Sequence, residues 1–114
     1  MKDDRLYLIH ILECVGRVEE YTREGKNVFL SDRKSQDAVL RNLHTMTEST
    51  QRLSEPLKAR HPEVDWQGLA GFRNVLVHDY LGVDIERVWE LMGHQLPGLR
   101  RSIEAILREL GDLP

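Results

Sequence analysis

Arg73, Asn74, His78 and Tyr80 stand within one ten-residue stretch, Gly71-Phe72-Arg73-Asn74-Val75-Leu76-Val77-His78-Asp79-Tyr80. Three of them form the pattern R-x4-H-x-Y. Arginine presents a planar fork of donors that suits a phosphate and the charge growing on it during transfer. Histidine moves a proton near neutral pH. Tyrosine offers a hydroxyl for hydrogen bonding and a ring for stacking on a base. Asparagine can hold a phosphate oxygen or orient the imidazole. Together these groups suit attack of a ribose 2′-hydroxyl on the neighbouring phosphorus. That reaction needs a proton acceptor, a proton donor and charge stabilisation, and it needs no metal.

Helical spacing complicates this. At about 100° per residue, Arg73 and Tyr80 fall within about 20° of each other on a helix wheel, whereas Arg73 and His78 are about 140° apart. Asn74 and His78, four residues apart, are neighbours. One straight helix therefore does not gather the three motif residues. Either the helix ends near His78, or a second chain completes the site. A two-fold dimer would bring together two copies of His78, one as acid and one as base. The plainer alternative is that an arginine, a histidine near a helix C-terminus and a tyrosine cap and close a helical bundle.

Other chemistries find less support. His10, His44, His61, His78 and His94 are scattered, without H-E-x-x-H or a cysteine pair, so no metal site is expected. His44 and Glu48, four apart, could share a ligand, but an ordinary polar pair is the simpler reading. There is no P-loop, G-x-S-x-G or dinucleotide-binding glycine pattern, and no cofactor is implied. Cys14 could act as a nucleophile; among Ile11, Leu12 and Val15 it reads as a small buried side chain.

The elements that must position the motif are helical. Apolar content of 40% and charged content of 31% over 114 residues fit one globular domain, 1–114. A net charge of −3 supplies no global basic field, so any RNA binding must rest on a local patch. The single cysteine fits a reducing cytoplasm. No secretory signal and no membrane-spanning apolar run is evident, so a cytoplasmic chain is expected.

In chain order, Asp3 or Asp4 caps a first helix with Leu8, Ile11, Leu12, Val15, Val18 and Tyr21 at helical spacing, and Gly25 stops it. Residues 25–30 read as a loop. Ser31 or Asp32 caps a second helix with Val39, Leu40, Leu43, Met46, Thr50 and Leu53, running to about Ser54 before Pro56. Leu57 to Arg60 adds a further turn. Asp65 caps a third helix carrying Trp66, Leu69, Phe72, Leu76 and the motif; Gly68 and Gly71 suggest close approach of another helix. After Gly82, Asp84 caps a short fourth helix with Ile85, Val88, Trp89 and Met92. Pro97 fits the first turn of a fifth, with Leu99, Ile103, Ile106, Leu107 and Leu110. The expected fold is all-α, an up-down bundle of about five helices.

A longer likeness covers nearly the whole chain. Asp65-Trp66, the run from Gly71 to Asp84, Val88-Trp89 and Leu96-Pro97-Gly98-Leu99 resemble the HepT family of the HEPN (higher eukaryotes and prokaryotes nucleotide-binding) group. Asp37-Ala38-Val39-Leu40-Arg41-Asn42-Leu43 and Glu48 resemble the family's second helix. One departure stands out: where the family usually has Gly-Glu-Ala, this chain has Thr47-Glu48-Ser49. Two slightly larger polar residues can alter packing behind the site, which weakens the case for a contact between Glu48 and Arg73.

The resemblance implies a HEPN homodimer with a ribonuclease site at its interface. It further implies a toxin of a type VII toxin–antitoxin pair acting on tRNA or mRNA. The partner would be an MntA-like minimal nucleotidyltransferase that neutralises it by transferring AMP onto Tyr80. By the same likeness Arg73 is the phosphate and transition-state ligand, and His78 the general acid or base. Tyr80 is site residue and modification target, with Asn74 and Glu48 in support. A non-catalytic HEPN subunit that binds a nucleotidyltransferase and presents nucleotide or substrate to it is the alternative, and a plain structural bundle the third. Arg100, Arg101 and Arg108 are candidates for a flanking basic patch, or simply solvated charge.

Overall fold

The computed structural model describes residues 3–78 and 84–111, excluding the side chains of Val77 and His78. Among the described residues six helices follow one another: α1 (Asp4–Tyr21), α2 (Lys26–Ser31), α3 (Arg33–Arg52), α4 (Glu55–Arg60), α5 (Trp66–His78) and α6 (Ile85–Glu109). No strand occurs among the described residues. The all-α expectation holds, with six helices in place of about five. α3 packs against both α1 and α5, and α6 packs against α1 and α2.

The caps are those their side chains dictate. Asp3 accepts the Arg5 backbone N–H at 2.9 Å and starts α1. Asp4 instead reaches Ser54, accepting from its backbone N–H at 2.9 Å and its hydroxyl at 2.6 Å, and so ties α1 to the start of α4. α1 ends at Tyr21, ahead of Gly25. There the Thr22 hydroxyl and backbone N–H both turn back to the Val18 carbonyl. Asp32 starts α3 by accepting from the Lys34 N–H, and α3 stops at Arg52. Ser54 caps α4, and Pro56 sits in its first turn. Proline suits that turn because its missing N–H would have had no helical partner.

Two expectations fail for tertiary reasons. Residues 25–30 do not form a loop: Lys26–Ser31 is the helix α2. Six residues are too few for isolated helix formation. α2 is held because Phe29 is buried and its ring lies 5.2 Å from that of Trp89 on α6. Gln36 completes it, donating its side-chain amide to the Phe29 and Leu30 carbonyls. The expected fourth and fifth helices are also one helix, α6, with Pro97 in its interior. Its seven buried residues, Val88, Met92, Leu96, Leu99, Ile103, Ile106 and Leu107, keep one helical phase across the proline. An interior proline costs about 3 kcal/mol, and burial of each such side chain stabilises by about 1.5–3 kcal/mol. The stripe wins.

The glycines of α5 also differ from expectation. Among the described residues no neighbouring atom lies within 4 Å of a Cβ added at Gly71, so no helix approaches closely there. At Gly68 the neighbour is Asp65, whose carboxylate caps α5 by accepting the Gly68 N–H at 2.8 Å; an added Cβ would collide with that carboxylate. The glycine makes room for the cap. Trp66 then closes α4, its indole N–H donating to the Lys58 and His61 carbonyls.

Gly71→Ala is therefore expected to stabilise the fold by up to about 1 kcal/mol. Gly68→Ala should gain nothing, because displacing the Asp65 cap costs about 1 kcal/mol. In an Asp65→Ala background, the same Gly68→Ala change should stabilise. Urea titration of these variants checks this, and equal effects of Gly68→Ala in both backgrounds would refute it.

Candidate functional site

α3 supplies one wall of the site. Its buried face carries Val39, Leu43, Met46 and Thr50, which turns His44 and Glu48 outward along the opposite edge. α5 buries Leu69, Phe72 and Leu76 and brings Arg73, next to Phe72, against that edge. There the Arg73 guanidinium donates from Nη2 to Glu48 Oε1 at 3.2 Å. The same oxygen lies 3.9 Å from His44 Nε2. Side chains from two helices thus converge on one carboxylate oxygen. The expected weakening of a Glu48–Arg73 contact is corrected: the contact is present.

The flanking side chains explain why. Thr47 and Ser49 are both buried, yet neither is left unpaired. The Thr47 hydroxyl donates to the carbonyl of His44, at 2.9 Å, within its own helix. Ser49 points to α1, where its Oγ meets His10 Nδ1 at 2.7 Å. His10 in turn faces Cys14 across 3.6 Å, and Cys14 faces Thr45 across 3.5 Å. The added polar groups are satisfied sideways and inward, so the outward path of Glu48 stays clear. Cys14 is fully buried in this seam, which removes it as a nucleophile.

Arg73 is less fully satisfied. Its Nε is buried and has no hydrogen-bond partner among the described residues. Its side chain is still 30% exposed, so part of the guanidinium faces outward. A buried, unpaired donor is costly, and in native structures such a group asks for an explanation, a catalytic role among them. The Arg73 hydrogen bond also holds the Glu48 carboxyl below its ordinary value of 4.5, against the opposing effect of burial. Glu48 is therefore a poor proton acceptor and a good fixed counter-charge. On its far side a recess of about 370 Å³ opens between α1 and α3, with Tyr7, His10, Thr45 and Ser49 in its walls.

The other candidate residues lie in different places. Asn74 is exposed on α5, one residue beyond Arg73. α5 runs to His78, so the backbone sets positions 73 and 78 about 140° apart around one helix. Tyr80 and Gly82 lie outside the described residues. His44 and Glu48 form an i,i+4 polar pair at 3.9 Å, and Arg73 joins it at the same oxygen. Arg100 does not serve a basic patch. It is bound to Glu19 of α1 through two nitrogens and to Glu104 of its own helix, and it clamps α6 to α1. His10 and Ser49 carry no signal in the sequence as neighbours of the site, since they stand 39 positions apart.

The pairing also makes stability depend on pH. The folded chain binds the Glu48 proton less tightly than the unfolded chain does. The contribution of the pair is complete above pH 4.5 and fades as pH falls through the depressed value. The Glu48 carboxyl carbon, followed by NMR, is expected to titrate below 4.5 in the wild type and to move upward in Arg73→Met. A titration unchanged by that substitution would contradict the assignment.

Comparison with known proteins places this arrangement. The HepT-like ribonuclease family matches residues 11–106. A Thermococcus cleftensis protein named "Probable ribonuclease HepT" is 36% identical over 101 residues, 88% of this chain and 92% of that one. A Methanocaldococcus jannaschii protein named "Putative RNase" is 33% identical over 110 residues, 96% of this chain and 91% of that one. A second protein of that organism, named "Gamma-glutamylcyclotransferase and putative RNase", is 33% identical over 110 residues, and the chain spans 50% of its length. No solved structure matches the chain. The match runs through both helices that build the Arg73–Glu48 contact, and the chain belongs to the HepT-like ribonuclease family of HEPN proteins.

Proposed function

We propose that this chain is a metal-independent endoribonuclease of the HepT type, acting as the toxin of a toxin–antitoxin pair. The observation that carries the reading is Arg73 held on Glu48 between α3 and α5, within a chain whose relatives are named as ribonucleases. A guanidinium fixed through one nitrogen keeps its outward-facing donors for a phosphodiester. Fixing it beforehand lowers the cost of ordering it around the transition state.

The reaction follows from the groups. A base removes the proton of a ribose 2′-hydroxyl, and that oxygen attacks the adjacent phosphorus. The bond to the 5′-oxygen of the next nucleotide breaks, and an acid protonates the leaving oxygen. The products are a 2′,3′-cyclic phosphate and a 5′-hydroxyl. Arg73 neutralises charge on the non-bridging oxygens, and His78 is general acid or base. Asn74 and Tyr80 complete the phosphate and base contacts. In a homodimer, the wide angle between positions 73 and 78 is spanned by two chains.

Tyr80 is also the point of control. A minimal nucleotidyltransferase partner would use ATP, with the Tyr80 hydroxyl attacking the α-phosphorus and pyrophosphate leaving. The added AMP anion would occupy the phosphate site and repel RNA.

Purified chain, shown by intact mass to be unmodified, is expected to cleave tRNA or structured mRNA in excess EDTA. His78→Ala should abolish cleavage, and the 5′ fragments should carry 2′,3′-cyclic phosphate ends. Absence of cleavage by the unmodified dimer, or loss of cleavage in EDTA, would overturn the reading; the first result would favour a non-catalytic HEPN subunit.

A further inference from the structure

We propose that His44 is the second proton-transfer group of the site, working with His78 in the RNA cleavage proposed above. The inference rests on that reading and deepens it. The reaction needs both an acid and a base, and the motif supplies one histidine per chain. The other need not be a second copy of His78.

The geometry points to His44. Its Nε2 lies 3.9 Å from Glu48 Oε1, and Arg73 Nη2 lies 3.2 Å from that same oxygen. The two nitrogens are therefore at most about 7 Å apart, the two distances laid end to end. A phosphate held by the outward donors of Arg73 would lie beside the helix edge that carries the His44 imidazole. On the α3 wheel His44 is about 40° from Glu48, on the side away from Ser49 and so away from the α1 seam. Its side chain is 48% exposed, open to a substrate on the α5 side.

The surroundings fit an entering polyanion. Arg41 and Arg52 stand with His44 and Glu48 on the exposed edge of α3, and the charge of Arg52 acts together with that of Arg73 on the Glu48 carboxylate. The charged groups that share this edge of α3 with His44 are Asp37, Arg41, Glu48 and Arg52, with Arg73 facing it from α5. Glu48, the carboxylate next to His44, is committed to Arg73, which leaves it a weak base. Helical spacing brings His44 to Glu48, and the packing of α5 brings the motif arginine to the same oxygen.

The step balances in either assignment. If His44 takes the 2′-hydroxyl proton, His78 delivers one to the leaving 5′-oxygen, and the roles reverse if His78 is the base. Solvent exchange restores both between turnovers.

The test is single-turnover RNA cleavage by the full chain, unmodified at Tyr80, as a function of pH. Wild type, His44→Gln and His44→Ala are compared, with the melting temperature as a check that an exposed position leaves the fold intact. Both variants are expected to lose roughly 100-fold or more in maximal rate. RNA affinity should be little changed, and one limb of the wild-type pH profile should disappear. Added imidazole should restore part of the rate of His44→Ala. A wild-type rate and profile in His44→Gln would overturn the inference while leaving the ribonuclease reading intact. So would a loss confined to RNA affinity. A wild-type chain that cleaves no RNA would overturn both.

Discussion

A half-buried arginine needs an acceptor, and that need ties the site to the bundle. Arg73 sits beside the buried Phe72, with its Nε out of solvent and unpaired among the described residues. Its Nη2 finds Glu48 on the neighbouring helix. Removing Glu48 would leave a partly buried guanidinium without its counter-charge. The contact is thus poorly explained as mere surface stabilisation, since exposed ion pairs contribute little. Its value lies in direction: it fixes a planar donor fork against a helix edge that also carries His44, Arg41 and Arg52.

The fold exists in service of that edge. α3 is about 30 Å long at 1.5 Å per residue, and it is buried along one side by α1 and α5. The α1 side is joined by a chain of polar contacts running from Ser49 to His10, Cys14 and Thr45. The α5 side is sealed by Leu69, Phe72 and Leu76. α6 packs against α1 through its apolar stripe and the Arg100–Glu19 clamp. These contacts act on the site from a distance. Each limits how far α3 can shift against α5, and a guanidinium aimed at a phosphate tolerates little shift.

Much of this is legible in the residue order. The stripes of α1, α3 and α5 and the caps Asp3, Asp32, Asp65 and Asp84 follow from spacing and side-chain chemistry. Ser54 reads as a helix end in the sequence, whereas in the structure it caps the next helix. What is not legible depends on distant partners. α2 is too short to be read from its own six residues, and it forms because Phe29 meets Trp89. Pro97 punctuates strongly in sequence, but the unbroken phase from Val88 to Leu107 overrides it. Gly71 and Gly68 look alike in the sequence, and one is open while the other accommodates a cap. In the site, the roles expected of Arg73, His78 and Tyr80 come from the motif and its likeness to HepT. The convergence of His44 and Arg73 on one oxygen needs the packing of α3 against α5, which no local pattern encodes.

The central claim is that Glu48 acts through Arg73. A double-mutant cycle on the single-turnover rate of RNA cleavage tests it most directly, with Glu48→Gln, Arg73→Lys and the pair combined. Glu48→Gln is expected to slow the wild type by roughly tenfold and to slow Arg73→Lys hardly at all, because the aimed fork is already gone. Equal slowing in both backgrounds would contradict it, and would make Glu48 and Arg73 independent neighbours.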